Sequence, residues 1–359
     1  MSVVANSGRS PDAESSRSRA KAICRQQSEA DVAPREFHRA CSRARTAESA
    51  FFQCWLAHAI EPPTSNIEIV VRAILAALPR LQTRMSGFAS QLLLRTPTIT
   101  VRDVQCCGDW PHSEPEYASV THLVFPYRGT YVQHVGQDVV VADASQVLFF
   151  NAAEPYRVSH PIPGGDASLV VTVDEVMLRE ITPKALLREG DSLMFREQRL
   201  RIDPRAQVLV ALLRHSLHEG IAELLEAESL ALTLVQRSLG PRTAHAAGSS
   251  TGRQRLVDRA KLVLTRDLAR RWTLAEVASE VGVSPVYLTQ SFRQVEGVPL
   301  YRYQMRLRLA RALDLLGQYE DLSALALDLG FSSHSHFSAA FQQMYGRSPS
   351  EFRQSALYR

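Results

Sequence analysis

Leu274-Ala275-Glu276-Val277-Ala278, Val281-Gly282-Val283-Ser284-Pro285, Tyr287-Leu288 and Phe292 form one pattern near the end of the chain. Forty-eight residues later it returns as Leu322-Ser323-Ala324-Leu325-Ala326, Leu329-Gly330-Phe331-Ser332-Ser333, His336-Phe337 and Phe341. In each copy an apolar-spaced helix carries a small alanine, Ala278 or Ala326, where a second helix must cross closely. Four positions on, Gly282 or Gly330 supplies a turn of positive φ. A serine then caps the next helix. This is the helix-turn-helix pattern, whose second helix enters the DNA major groove. One copy is weak; two copies joined by a strongly helical segment fix the reading of the last hundred residues.

Composition agrees. With 359 residues, 45% hydrophobic and 22% charged, the chain can hold two domains with their own cores. No apolar run reaches the length of a membrane-spanning helix. The polar, Arg/Ser-rich start lacks the apolar centre of a secretory signal. The five cysteines, Cys24, Cys41, Cys54, Cys106 and Cys107, have no zinc-type spacing and suit a reducing cytoplasm. The adjacent Cys106 and Cys107 are either ordinary buried thiols or a sensor of oxidants and thiol-reactive compounds. The net charge of +4 conceals a division. Residues 253–359 hold 15 basic against 10 acidic side chains, whereas residues 85–252 hold 14 against 19. The basic end fits phosphate contact and the acidic middle would repel DNA.

These features predict a multidomain α+β chain. Residues 1–84 read as a disordered or partly helical extension, poor in apolar residues up to 45. Met85 is the first methionine after Met1, so a natural start there, with the preceding residues an extension of the reading frame, is one expectation; intact-mass measurement of the native protein tests it. From about 96 to 175 short β-rich runs follow one another: Thr98–Val101, His122–Phe125, Thr130–Val135, Asp138–Val141, Val147–Phe150 and Ser168–Val173. Their close spacing predicts a small barrel or jelly roll. Residues 204–218 and 220–239 read as two helices broken at Gly220. The second is apolar enough to leave both internal packing and a dimer interface open. Thus 85–239 is expected to be a sensor and dimerisation domain, 240–252 a flexible linker, and 253–359 an all-α domain with both helix-turn-helix units.

In this order of parts the chain resembles the AraC/XylS family of bacterial transcription regulators. The resemblance is most specific over 253–355, where Ala324–Ser333 and Tyr345-Gly346-Arg347-Ser348-Pro349-Ser350-Glu351-Phe352-Arg353 look like the family signature. The linking helix, with Arg306, Leu307, Ala310 and Leu313, matches in kind. The strand-rich region looks, more loosely, like the cupin-type barrel of many members. The resemblance implies a homodimer in the bacterial cytoplasm, on the nucleoid. It also implies binding to repeats in double-stranded promoter DNA, a small-molecule effector, and an activator's contact with RNA polymerase, although one chain does not separate activator from repressor. Two units on one helix would enter successive major-groove segments roughly 34 Å apart.

In the first unit the outward face of the second helix is expected to carry Val286, Thr289, Gln290 and Arg293, with Tyr287, Leu288 and Phe292 inward. In the second unit it carries His334, Ser335, Ser338, Ala339 and Gln342, with Phe337 and Phe341 inward. Glutamine can pair with adenine, arginine with guanine or phosphate, and threonine or valine with a thymine methyl. Any of these is also at home on a solvated surface; the surrounding unit makes base or phosphate contact the expectation for Gln290 and Arg293. Family members commonly carry arginine where Gln290 and Ala339 stand, so the salt-dependent part of binding should be smaller here. Arg302, Arg306, Arg308 and Arg311 crowd the linking helix, either to touch phosphates or to pair locally, as with Asp314.

The barrel shows little sign of catalysis. A catalytic cupin needs two close histidines, a glutamate and a later histidine, yet His122, His134 and His160 stand singly, and Tyr156 falls where the last ligand belongs. No metal, cofactor or catalytic residue is assigned. An effector in the barrel mouth is expected instead, with Arg128, Tyr131, His134 and Tyr156 as candidates, although strand alternation sends Tyr131 and His134 to opposite faces. Two alternatives stay open: a cupin enzyme fused to a DNA-binding domain, which bound metal would reveal, and a constitutive DNA-binding protein without effector.

Overall fold

Ten strands, rather than the six read from the sequence, build the first half of the described chain. The computed structural model describes residues 87–108, 113–240 and 251–356. The expectations for residues 1–84, and most of the linker, lie outside the described residues. The strands are β1 (Phe88–Arg95), β2 (Ile99–Cys106), β3 (Glu116–Tyr117), β4 (His122–Arg128), β5 (Tyr131–Val135), β6 (Asp138–Ala142), β7 (Gln146–Phe150), β8 (Pro155–Ser159), β9 (Asp166–Val173) and β10 (Arg199–Arg201). They form a six-stranded sheet in the order β1-β2-β9-β4-β7-β10 and a four-stranded sheet in the order β3-β8-β5-β6. All the ladders are antiparallel.

Alternation divides the large sheet into two working faces. Along β9, Ala167, Leu169, Val171 and Val173 join Leu123, Phe125, Val147 and Phe149 in the main core. That face is covered by α2 (Pro204–His218) and α3 (Leu224–Leu239), through Ala206, Val210, Leu213, Ala227, Ala231, Leu234 and Val235. The opposite face, with Val124, Leu148 and Phe150, packs on Tyr131, Val140 and Ala142 of the small sheet. A short helix α1 (Glu175–Ile181) follows β9. Asp203 caps α2 ahead of Pro204, and Arg237 near the end of α3 donates to the same carboxylate at 2.8 Å. The break between α2 and α3 falls at Gly220 as expected, with φ of +65°. The apolar stripe on α3 is mostly internal packing, but Leu224 and Leu225 at its start are 61% and 75% exposed.

The remaining helices are α4 (Thr251–Arg266), α5 (Leu274–Val281), α6 (Pro285–Glu296), α7 (Leu300–Leu315), α8 (Leu322–Asp328), α9 (His334–Tyr345) and α10 (Pro349–Ala356). Helix α7 belongs to two cores. Tyr303 and Leu307 pack with α4, α5 and α6. Leu309, Ala312, Leu313 and Leu316 pack with α8, α9 and Phe352. The described residues belong to one compact unit, and Val208, Ala211 and Leu212 of α2 join the second of these cores. No helix among the described residues is long and apolar enough to cross a membrane.

Candidate nucleic-acid interface and sensor interior

Each turn of the two helix-turn-helix units is built by the residues that the pattern singled out. Gly282 and Gly330 adopt φ of +74° and +77°. Ser284 Oγ accepts from the Tyr287 amide at 3.3 Å, and Ser333 Oγ from the His336 amide at 3.1 Å. One signal was readable and missed: Thr273 and Glu276 form a reciprocal capping box at the start of α5. Hydrogen bonds from the Thr273 amide and hydroxyl, then the Arg270 guanidinium, hold the Glu276 carboxyl down to about 2.

On α6, Leu288, Ser291, Phe292 and Val295 are buried, and Val286, Gln290 and Arg293 are exposed. Thr289 is half-buried and donates its hydroxyl to Pro285 O at 2.9 Å. Tyr287 departs from expectation: it is 44% exposed, because it sits one position off the 288–292–295 stripe and beyond the packed layer. On α9, Phe337 and Phe341 are buried, and His334, Ser335, Ala339 and Gln342 are exposed. Ser338 is half-buried, its Oγ 3.3 Å from His334 Nε2. The fold therefore gathers the named α6 residues on one outer surface and the named α9 residues on another. Gln294, His336 and Gln343, which the sequence reading did not name as DNA contacts, are exposed beside them.

The arginines of α7 divide by role. Arg308 is buried and donates to the carbonyls of Leu268, Ala269, Arg270 and Gly330 at 2.8–2.9 Å, so it braces the two units internally. Arg311 pairs with Asp314, which Arg214 of α2 also grips.

A buried polar network joins the strand region to the first unit. Lys261 of α4 is fully buried, its Nζ 2.7 Å from Glu296 Oε1 and 3.6 Å from Asp143 Oδ2. Tyr303 donates to the same Asp143 carboxylate. Arg199 on β10 donates to Asp258 at 3.3 Å, and Arg201 to Val295 O. Burial alone would raise Glu296, but the Lys261 ammonium beside it outweighs that and holds the carboxyl below its ordinary range. Sequence reading offered no sign of this network, because its members come from five separate elements.

Inside the strand region the four effector candidates separate. Tyr131 and Tyr156 belong to the layer between the sheets, with Tyr156 edge-on to Phe150 and donating to Glu116 at 3.1 Å. Arg128 shares the Ala167 row, on the helix-covered face, and donates to Gln105 at 2.9 Å. His134 lies 2.8 Å from Ser159 Oγ on the reverse face of β5. His122, His134 and His160 stand apart, but His160 has two possible co-ligands that are distant in sequence. His160, just past β8, meets Asp166 and Cys106, which face each other across the β2–β9 ladder. One ligand atom from each of the three lies within 4.8 Å of the others. Burial of the His160 ring would lower it, but hydrogen bonding and charge from Asp166 and Cys106 push it up to about 10.

With this geometry in view, likeness to known proteins is informative. A family model described as a helix-turn-helix domain matches residues 277–355. The transcriptional activator RhaR of Klebsiella pneumoniae subsp. pneumoniae is 35% identical over 136 residues, 38% of this chain and 47% of that protein. The chain thus spans about half the length of that relative. The transcriptional regulator GadX of Escherichia coli O6:H1 is 26% identical over 239 residues, 66% of this chain and 84% of that one. A solved transcriptional regulator with an AraC-type DNA-binding domain, from Chromobacterium violaceum, is 29% identical. The match covers 30% of this chain and 98% of that one, with a TM-score of 0.29. The helical end of the chain is thus similar in sequence to the DNA-binding domain of AraC-type transcription regulators.

Proposed function

We propose that this chain is a sequence-specific regulator of transcription that reads repeats in promoter DNA with α6 and α9 and responds to an effector through its strand region. The observation that carries this reading is the pair of capped helices, each with an exposed face of DNA-compatible side chains, braced on one shared helix. Val286, Thr289, Gln290 and Arg293 contact DNA from α6, and His334, Ser335, Ser338 and Gln342 from α9. The two-sheet unit is read as a cupin-type sensor without catalysis. Tyr131 and Tyr156 are its first candidates for effector contact; Arg128 and His134, turned to other faces, are weaker ones. Exposed Leu224 and Leu225 support a homodimer through the start of α3. Family likeness supports a cytoplasmic protein that works with RNA polymerase on the nucleoid.

Effector binding acts by favouring one arrangement of the strand region and the first unit over another. It must therefore discriminate between states and not simply bind. The test is titration of the protein on its own upstream intergenic DNA over a salt series, with Gln290→Ala and Arg293→Ala beside it. Each good base pairing contributes about 1–3 kcal/mol, so specific affinity should fall about 5- to 150-fold in each variant. If Arg293 reaches a phosphate, its variant also flattens the salt slope by about one. Binding that is salt-sensitive, indifferent to sequence and unaltered in both variants overturns the reading in favour of constitutive, architectural binding.

A further inference from the structure

The layer between the two sheets contains a cluster that the DNA-binding reading does not use. The His160 and Asp166 side chains are 8% and 9% exposed. Their nearest atoms, Nε2 and Oδ2, pair at 2.8 Å. The other ring nitrogen, His160 Nδ1, is buried without a hydrogen-bond partner, as is Ser168 Oγ two residues along the same face of β9 from Asp166. Buried polar atoms are rarely left so, and two beside a Cys–His–Asp cluster suit a ligand there.

The surrounding backbone is built for close approach. A Cβ on Gly165 would lie 2.1 Å from the Cys106 carbonyl oxygen, and one on Gly129 would lie 2.1 Å from that of Gly165. Both glycines have positive φ. They let the end of β2, the turn before β5 and the turn into β9 press together, bringing Cys106 opposite Asp166 with His160 arriving from the other sheet.

We propose that Cys106, His160 and Asp166 bind a divalent transition metal ion of zinc's character. A thiolate, an imidazole and a carboxylate form a borderline-soft donor set of the kind zinc and cobalt accept. Tetrahedral zinc bonds to sulfur and nitrogen require donors roughly 3.3–3.8 Å apart. The donor atoms lie within 4.8 Å of one another, with His160 and Asp166 at 2.8 Å, so small side-chain adjustments bring all three to bonding positions. Binding displaces the protons of the thiol and of the imidazolium to solvent. Three protein ligands leave a fourth position for water or an exogenous donor. Because His160 follows the small sheet while Cys106 and Asp166 belong to the large one, the ion would clamp the two sheets together.

The experiment is titration of the chelator-treated full chain with Co²⁺, followed by its visible and thiolate-to-cobalt charge-transfer absorption, with Zn²⁺ as competitor. The expected result is one equivalent bound with a charge-transfer band, displaced by Zn²⁺. Cys106→Ser should abolish the band, and His160→Gln should weaken affinity more than about 100-fold, beyond the range that outer-shell partners control. Cys107→Ser should leave both unchanged. Circular dichroism of each variant confirms that the fold is retained. If Cys106→Ser disturbs the fold, the folded His160→Gln and Cys107→Ser variants carry the comparison. Absence of a thiolate band, or a band that survives in folded Cys106→Ser, overturns the assignment; so does a His160→Gln protein that binds as tightly as the parent. The readout does not involve DNA, so it stands or falls separately from the regulatory reading.

Discussion

Gly282 and Gly330 occupy the same place in the two copies of one pattern, yet they are not equivalent. A side chain at Gly282 meets nothing within 4 Å, so only the left-handed backbone requires glycine there. At Gly330 an added Cβ would lie 1.9 Å from the Ala269 carbonyl oxygen, in addition to a φ of +77°. Gly282→Ala should therefore cost about 1–2 kcal/mol, the ordinary penalty of an L-residue in this region. Gly330→Ala should cost about 2–5 kcal/mol, because overpacking adds to that penalty. Denaturant midpoints of the two variants check the difference; equal losses would refute the packing argument. The positive φ was legible in the sequence and the collision was not, since Ala269 lies sixty-one positions away in the chain. Arg308 makes the same point: the sequence left phosphate contact and local pairing open, whereas its carbonyl partners lie in two turns distant in the chain.

At the scale of elements, legibility followed locality. The helix-turn-helix units were readable because their caps, turns and apolar spacing lie within twenty residues. Strand β1 was missed because Phe88–Arg95 is an edge strand, largely exposed, with little alternation to show. Strand β8 begins at a proline and β10 has three residues. The metal cluster depends on the pairing of β2 with β9, which joins Ile99 to Val173 and Cys106 to Asp166, a register that no local pattern announces. The Lys261 network between the strand region and α4, α6 and α7 was equally hidden. Lys261→Met would leave Asp143 and Glu296 buried without their shared cation, at a cost of about 3–5 kcal/mol. Calorimetry should then show a lower melting temperature, with the strand region still held to the second unit through α2. Because Glu296 ionises below its ordinary value of 4.5, its contribution is fully present above that pH. It is lost as pH falls through the lower value in the folded protein. Acid should thus loosen this contact in the parent, and Lys261→Met should blunt that dependence; a parent and variant with the same acid profile would contradict the role given to the pair.

At the scale of the whole molecule, the strand region is docked on both halves of the helical domain: its α2 packs into the second unit, and its Asp143, Arg199 and Arg201 reach the first. A domain held this way can pass a change in its interior to both reading helices, which is what an effector-responsive regulator requires. Regulation on this plan requires α6 and α9 to read DNA together. Hydroxyl-radical footprinting of the upstream region tests it most directly. Two protected patches per chain are expected, about 10 base pairs apart on one face of the duplex, with Arg293→Ala fading one and Gln342→Ala the other. A single patch insensitive to Gln342→Ala, or uniform protection that salt removes evenly, would contradict it.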